Sequence, residues 1–410
     1  MADESTKKSL AEQWRERELA QAQECLDIIE FKQSGQIYHN RQGARVKPNH
    51  RLVEVFGIKN VFTDEHPGGF SRETTSKIRA ACKMRASDDK GSWTNLRKRS
   101  IECFDEYIKH VGQHGTINIA ELAQFVTLKL SLSYLFADAE IAFKTADTFD
   151  DITFIGHQIN KLWIDSKKPD DMPGSLPPYL NDNSNEPTVP GRNPLNFLLP
   201  AYETMWRVVL RCFIEVRLRD AANGAEWRLV LANYLEHLRD PACMPHAFQE
   251  SSETSVRPID IAKEALRLYP PSRHVHRDFD GELFRADIEA CHRSRLLGGD
   301  DPLVFRPERW ESMRHDDRDM MFGEMGTQID THALKLSEMR RGFMPFASHC
   351  TADKRDTRGF AMKMIVMLVA VLCDGLGNKW TLANAGSLPE RHIPLDSDRA
   401  AYEGLSLRSA

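Results

Sequence analysis

Apolar residues along this chain recur mostly at spacings of three and four, which predicts helices packed against one another. Between Ile117 and Lys168 the stripe runs through Leu122, Phe125, Val126 and Leu130, and again through Ile152, Phe154, Ile155, Ile159, Leu162 and Trp163. From Asn193 to Val216 it widens to Leu195, Leu198, Leu199, Tyr202, Met205, Trp206, Val209, Leu210, Phe213 and Ile214. A stripe that wide belongs to a helix buried on most sides. The run Phe360 to Leu372 is apolar almost throughout and predicts a second buried helix. Met1 to about Lys47 reads as a charged helical arm followed by a Gly- and Arg-containing connector, and Val53 to Phe62 as a short apolar helix or turn. Ala225 to Phe248 is amphipathic, and Pro258 to Pro270 is a helix stopped by Pro270-Pro271. Ser272 to Arg277 alternates as a strand does, the Gly-Leu-Gly at 375–377 reads as a turn, and Lys379 to Ala410 predicts short strands and turns. The expected class is mainly α with small β-sheets.

Composition narrows the function. The 410 residues are 41% hydrophobic and 28% charged with a net charge of −5, enough to bury one large core or two or three domains and without an overall basic field for a nucleic-acid backbone. No run is long and apolar enough to span a bilayer, and the N-terminus lacks a signal-peptide core. The eight cysteines form no CxxC pair and read as reduced intracellular thiols. Asp170 to Arg192 is rich in Pro, Asn and Gly, and reads as a functional lid or a linker.

Cys350 stands in a short loop ahead of the Phe360 helix. A sulfur near a helix N-terminus meets unpaired N–H groups and the positive end of the dipole, which favours thiolate and therefore metal binding. Read alone, one such cysteine is more often a buried structural thiol.

Several other residues carry chemistry by their spacing. Pro200 sits inside the 193–216 helix, which should bend or open there, since proline offers no N–H to the Asn196 carbonyl and its ring displaces that carbonyl. Glu203 and Thr204 follow the break. They read either as a proton relay, or blandly, with the hydroxyl bonded back to the previous turn and the acid paired with an arginine. Trp93 and Arg97 lie four apart in SWTNLR, so one helix face presents an indole N–H and a guanidinium suited to a carboxylate. The alternative is a surface tryptophan covering an arginine stem. Glu264 and Arg267 are one turn apart, a bland pair if exposed. His274 and His276 share one face of the predicted strand, but no third ligand follows at a metal-binding spacing.

The order Glu264-x-x-Arg267 in KEALRLYPP, then ADIEACHR, then FRPERW with Arg309, then Phe343 seven residues before Cys350, resembles that of the haem-thiolate monooxygenases, the cytochrome P-450 family. It looks closest to fungal secondary-metabolite members and covers roughly Val53 to Asn384. The resemblance implies haem b with Cys350 as axial iron ligand and Glu264, Arg267 and Arg309 as a buried triad bracing its loop. It also implies Trp93, Arg97 and His274 as propionate partners, Ala201 as the small residue over the haem, and Glu203 with Thr204 as the acid–alcohol pair. An arm at 1–47 and a single haem domain at 48–410 would follow, with a shortened roof and no membrane anchor.

The chain departs from the family pattern around the sulfur. Phe346 stands where the family has glycine, Ser348 where it has a basic residue, and Ala352 where it has glycine. Alternatively Pro345-Phe-Ala-Ser348 corresponds to the family's Pro-Phe-Gly-Ser turn, with the loop about three residues shorter. The expected activity is monooxygenation of a hydrophobic small molecule by dioxygen, with electrons from a separate NADPH-dependent reductase. The expected place is the cytoplasm, or the periphery of the endoplasmic reticulum. Two other readings stay open: a reductase-independent haem-thiolate enzyme (peroxygenase, isomerase or dehydratase), and a non-catalytic binding or scaffold protein.

Overall fold

A computed structural model describes residues 9–66, 75–76, 78, 81, 92–111, 115–136, 148–167, 193–240, 248, 255–313, 331–348 and 359–409. Cys350, the 170–192 stretch and most of 67–91 lie outside these residues.

The chain opens with α1 (Leu10–Ile29), started by a capping box in which Ser9 and Glu12 satisfy each other's backbone N–H groups. A two-residue hairpin, β1 (Lys32–Gln33) and β2 (Gln36–Ile37), leads to α2 (Arg41–Phe56). The stretch expected to be a connector, 41–47, is thus the first half of a helix. Asn40 caps it by accepting from the Gly43 N–H, and Gly57 ends it at φ 61°. The connector reading went astray at Gly43 and Pro48, residues that weaken a helix but here lie inside one that packs against the later strand β4.

Next come α3 (Ser92–Val111), β3 (Thr116–Asn118), α4 (Ile119–Leu135) and α5 (Phe149–Asp165). The broken helix at 193–216 resolves into α6 (Leu195–Leu198), a π-helical segment over Leu199–Glu203, α7 (Trp206–Phe213) and a second π segment over Ile214–Leu218. Of the bend or opening expected at Pro200, the helix takes the opening, as a widened turn. Then follow α8 (Gly224–His237), α9 (Pro258–Leu268), the antiparallel hairpin β4 (His274–Phe279) and β5 (Glu282–Asp287), and two short helices, α10 (Ile288–His292) and α11 (Arg295–Gly298).

The last part holds α12 (Thr331–Arg340), β6 (Pro345–Ser348), α13 (Phe360–Leu376), β7 (Trp380–Leu382) and β8 (Ser406–Ser409). β8 lies between β3 and β7, antiparallel to both. The helix α13 runs through Gly375, which the sequence placed in a turn, and ends at Gly377 with φ 50°.

The architecture is mainly α with small antiparallel sheets. Its centre is α13, whose residues 364 to 373 are all buried. A helix apolar all round must be surrounded, and α3, α7, α8 and α9 surround this one. Among the described residues no helix is long and apolar enough to cross a membrane.

Candidate functional site

The pair Glu264 and Arg267 on α9 is fully buried, which removes the bland surface reading. Arg267 donates through Nε and Nη2 to the two carboxylate oxygens at 3.0 and 2.8 Å. Arg309 adds an Nε–H on Oε1 at 3.0 Å, and the Arg306 backbone N–H reaches the same oxygen at 2.9 Å. The Trp310 indole N–H closes the other oxygen at 3.0 Å. The remaining guanidinium N–H groups are spent on carbonyls: His292, Pro302 and Val304 for Arg267, and Gly298, Asp301 and Val304 for Arg309. Burial would push the Glu264 carboxyl up, but the two guanidiniums outweigh it and hold it below the usual carboxylate range. A buried ion set of this kind is tolerable only because every polar atom of the carboxylate is met. Its structural effect is to tie α9 to the 298–310 loop.

From this node the chain reaches the stretch before Cys350 through His292, a residue the sequence reading passed over. His292 is fully buried at the end of α10. Its Nε2 lies 2.8 Å from the Met344 backbone nitrogen and its Nδ1 lies 3.1 Å from the Leu266 carbonyl. A backbone N–H can only donate, so Nε2 accepts and Nδ1 carries the proton. Burial agrees, pushing the imidazole down to about 3 and keeping it neutral. Phe343 stacks on this ring at 5.2 Å and meets Trp310 at 4.7 Å. Thus Phe343 packs between the rings of His292 and Trp310, and Met344 is held by His292, which the Leu266 carbonyl of α9 fixes in turn.

The chain then enters β6. Ala347 sits at φ 56°, a left-handed conformation that glycine adopts freely and alanine does not. Its N–H donates to the Met344 carbonyl at 3.0 Å, closing a turn. This geometry fits the second correspondence, in which Ala347 occupies the glycine position of a Pro-Phe-Gly-Ser turn.

Trp93 and Arg97 both lie on α3, which packs on α13. Trp93 is 1% exposed, lies 5.7 Å from the Phe360 ring at the start of α13, and has Lys363 over its face. Its Nε1–H is buried with no partner among the described residues. Arg97 is half-buried and donates Nε to the Leu235 carbonyl of α8 at 2.8 Å. Burial pushes its guanidinium down. The tryptophan is therefore no surface cover; it is a desolvated donor beside the helix that follows Cys350.

His274 opens β4 and is half-exposed. Its Nε2 lies 2.7 Å from Arg285 Nη2 and 3.5 Å from the Asp287 carboxylate across the hairpin. His276 is its neighbour, with ring centroids 6.4 Å apart. Among the described residues no cluster of His, Cys, Asp and Glu has metal-binding geometry.

On the π segment, Ala201 is half-buried and Glu203 is 1% exposed. Glu203 forms an ion pair with Arg399, lies 3.8 Å from Arg207, and accepts from the Trp206 indole at 3.3 Å. The Thr204 hydroxyl donates to the Pro200 carbonyl at 2.9 Å. These are the contacts of the bland alternative. Arg399, distant in the sequence, carried no pattern that could have announced it.

No family model matches this chain, and no curated protein matches its sequence. Among solved structures, it is similar to cytochrome P-450 OxyD, involved in the biosynthesis of vancomycin-type antibiotics, at 14% identity over 96% of each chain with a TM-score of 0.45. It is similar to the retinoic acid-bound cyanobacterial CYP120A1 at 14% identity, over 91% of this chain and 86% of that one, TM-score 0.47. It is also similar to the cytochrome P-450 DA haem domain at 14% identity, over 92% and 86%, TM-score 0.47. At these values the similarity assigns no role to any residue.

Proposed function

We propose that this chain is a haem-thiolate oxidoreductase of the cytochrome P-450 kind, acting on a hydrophobic small molecule, with Cys350 as the iron ligand. The observation that carries the reading is the wiring of the Glu264 node through His292 and Phe343 to the residues just upstream of Cys350. A fully satisfied buried charge set is an expensive way to brace an ordinary loop, and a reasonable way to hold a ligand-bearing one.

The residues present fit haem b. The buried Trp93 N–H, without a partner among the described residues, calls for an acceptor such as a propionate, and Arg97 brings a partly desolvated guanidinium to the same helix. His274 would join them from the hairpin by giving up its place between Arg285 and Asp287. When bound, haem with a thiolate ligand supplies the activation of oxygen or peroxide, because sulfur pushes electron density toward O–O cleavage. The chain's own part is to keep Cys350 placed, to bury the propionates' partners, and to exclude water with the aromatic cluster in which the Phe360 ring lies 5.7 Å from both Trp93 and the buried Tyr134.

For a monooxygenase fed by a separate NADPH-dependent reductase, Thr204 would turn its hydroxyl from the Pro200 carbonyl to deliver a proton, with Glu203 as the acid behind it. The π segment supplies the backbone slack for that rotation. A second reading has a specific observation in its favour. Glu203 is held by Arg399 and Thr204 by its own helix, which favours a reductase-independent enzyme that needs no relay.

The deciding experiment is the absorption spectrum of the reduced, carbon monoxide-treated protein, for wild type and Cys350→Ser. The expected result is a thiolate-type band in wild type that is lost in the variant. Protein that takes up no haem, or an unchanged spectrum in the variant, overturns the proposal. Turnover with hydrogen peroxide alone, compared with turnover on reductase and NADPH, separates the two readings.

A further inference from the structure

Away from this site, two cysteines far apart in sequence meet. Cys25 lies near the end of α1 and Cys291 on α10, and their sulfurs are 3.4 Å apart. Both are buried, 4% and 3% exposed, in a small apolar cluster with Leu26, Ile29, Ile288, Met339 and Met344. At 3.4 Å two thiols are in contact but unbonded, and a bond of about 2.05 Å needs an approach of little more than an ångström. The setting is tight on one side: a Cβ at Gly342, itself at φ 99°, would come within 3.1 Å of the Cys291 Cβ.

We infer that Cys25 and Cys291 are a site of oxidative cross-linking, closing to a disulfide that pins α1 to α10. The two are not equivalent. Cys291 S–H donates to Cys25 and also lies 4.0 Å from the Gln21 carbonyl. That hydrogen bond lowers the Cys25 thiol from its usual range, so Cys25 is the nucleophile of the pair. With hydrogen peroxide as oxidant, the Cys25 thiolate attacks one peroxide oxygen, the O–O bond breaks, and a sulfenic acid and hydroxide result. The Cys291 sulfur then attacks the Cys25 sulfur, the S–O bond breaks, and the oxygen leaves as water with the thiol's proton. In sum, two thiols and one peroxide give one disulfide and two waters, the sulfurs losing the two electrons that the peroxide gains.

The cross-link has a defined mechanical meaning. α1 packs on α10, on α11, on α12 and on the β4–β5 hairpin, so its detachment would uncover this whole flank. Cys291 is also the residue before His292, which holds Met344. A bond at 291 therefore fixes α1 to the element that positions the approach to Cys350. The inference does not rest on the haem proposal, because the sulfurs and their burial are independent of it.

The test uses the full chain, reduced and desalted, then treated with a small excess of hydrogen peroxide. Remaining thiols are alkylated in denaturant, and peptides are mapped without reductant. The expected result is a linked peptide pair containing Cys25 and Cys291 that separates on reduction. The oxidised protein should melt roughly 5 °C higher than the reduced, since a cross-link between distant residues restricts the unfolded chain. Limited proteolysis within α1 should slow on oxidation in wild type and not in Cys25→Ser. Recovery of both cysteines as alkylated thiols, or of either paired with another cysteine, overturns the inference. A linked pair with unchanged melting and proteolysis overturns the clasp.

Discussion

Single residues decide how the approach to Cys350 is held. Ala347 occupies a backbone region that costs an L-residue about 1–2 kcal/mol, partly offset by the greater freedom that glycine would have in the unfolded chain. Ala347→Gly is therefore expected to stabilise the fold by about 0.5–1 kcal/mol, read as a small rise in the denaturant midpoint. No gain would mean that the left-handed turn is not formed in solution. His292 makes the opposite case. Its imidazole is pushed down to about 3 by burial, while an unfolded histidine titrates near 6.5. Below about pH 6.5 the unfolded chain takes up a proton that the folded chain refuses, so stability falls with pH down to about 3. The slope is about 1.4 kcal/mol per pH unit. His292→Gln should cost about 1–3 kcal/mol at neutral pH, by disturbing the bonds to Met344 and Leu266, and should flatten that acid slope by close to one proton. Denaturation curves between pH 4 and 8 check both. At this scale the sequence was partly legible. Glu264, Arg267 and Arg309 come together as the family resemblance implied, where spacing alone had left Glu264 and Arg267 a bland pair. His292, unremarked within ADIEACHR, and Arg399 were missed as individual residues, because their partners are backbone groups or residues from distant segments.

At the scale of elements, periodicity foretold the helices better than their ends. The wide stripe at 193–216 and the break at Pro200 were both visible, since burial and a missing N–H are written in residue types. That the break would be a π segment was not visible, because the choice between a kink and a widened turn is made by neighbours such as Tyr202 and Trp206 packing into the core. The extension of α13 through Gly375 shows the same limit. Glycine there reads as a terminator, yet a Cβ at 375 would lie 2.3 Å from Phe104 Cε1, and the close approach of α3 explains why no side chain stands there. In an open helix Gly→Ala gains about 1 kcal/mol. Here the overpacking against a buried ring costs about 1–3 kcal/mol and wins. Gly375→Ala is expected to lower the thermal midpoint, and a raised midpoint would show that α3 and α13 do not meet so closely.

For the whole molecule, the class was legible and the assembly was not. Composition and periodicity sufficed for a mainly helical chain, because burying a wide apolar stripe leaves few other solutions. What holds the parts together is long-range: Arg211 donates to the carbonyls of Asp396 and Asp398 at 2.8 and 2.7 Å, and Asn118 donates to that of Glu403 at 2.6 Å. Such contacts use main-chain acceptors that every residue possesses, so no residue type could forecast them. They place the segment before β8, with Arg399 in it, over the broken helix.

The position of β8 between β3 and β7 gives that segment an order of events. β3 is made early in synthesis and has no neighbour until Ser406–Ser409 arrives, so its pairing is deferred across most of translation. Until then the stretch that carries Arg399 is tied only by contacts such as those of Arg211 with the Asp396 and Asp398 carbonyls, and it lacks the strand pairing that fixes its far end.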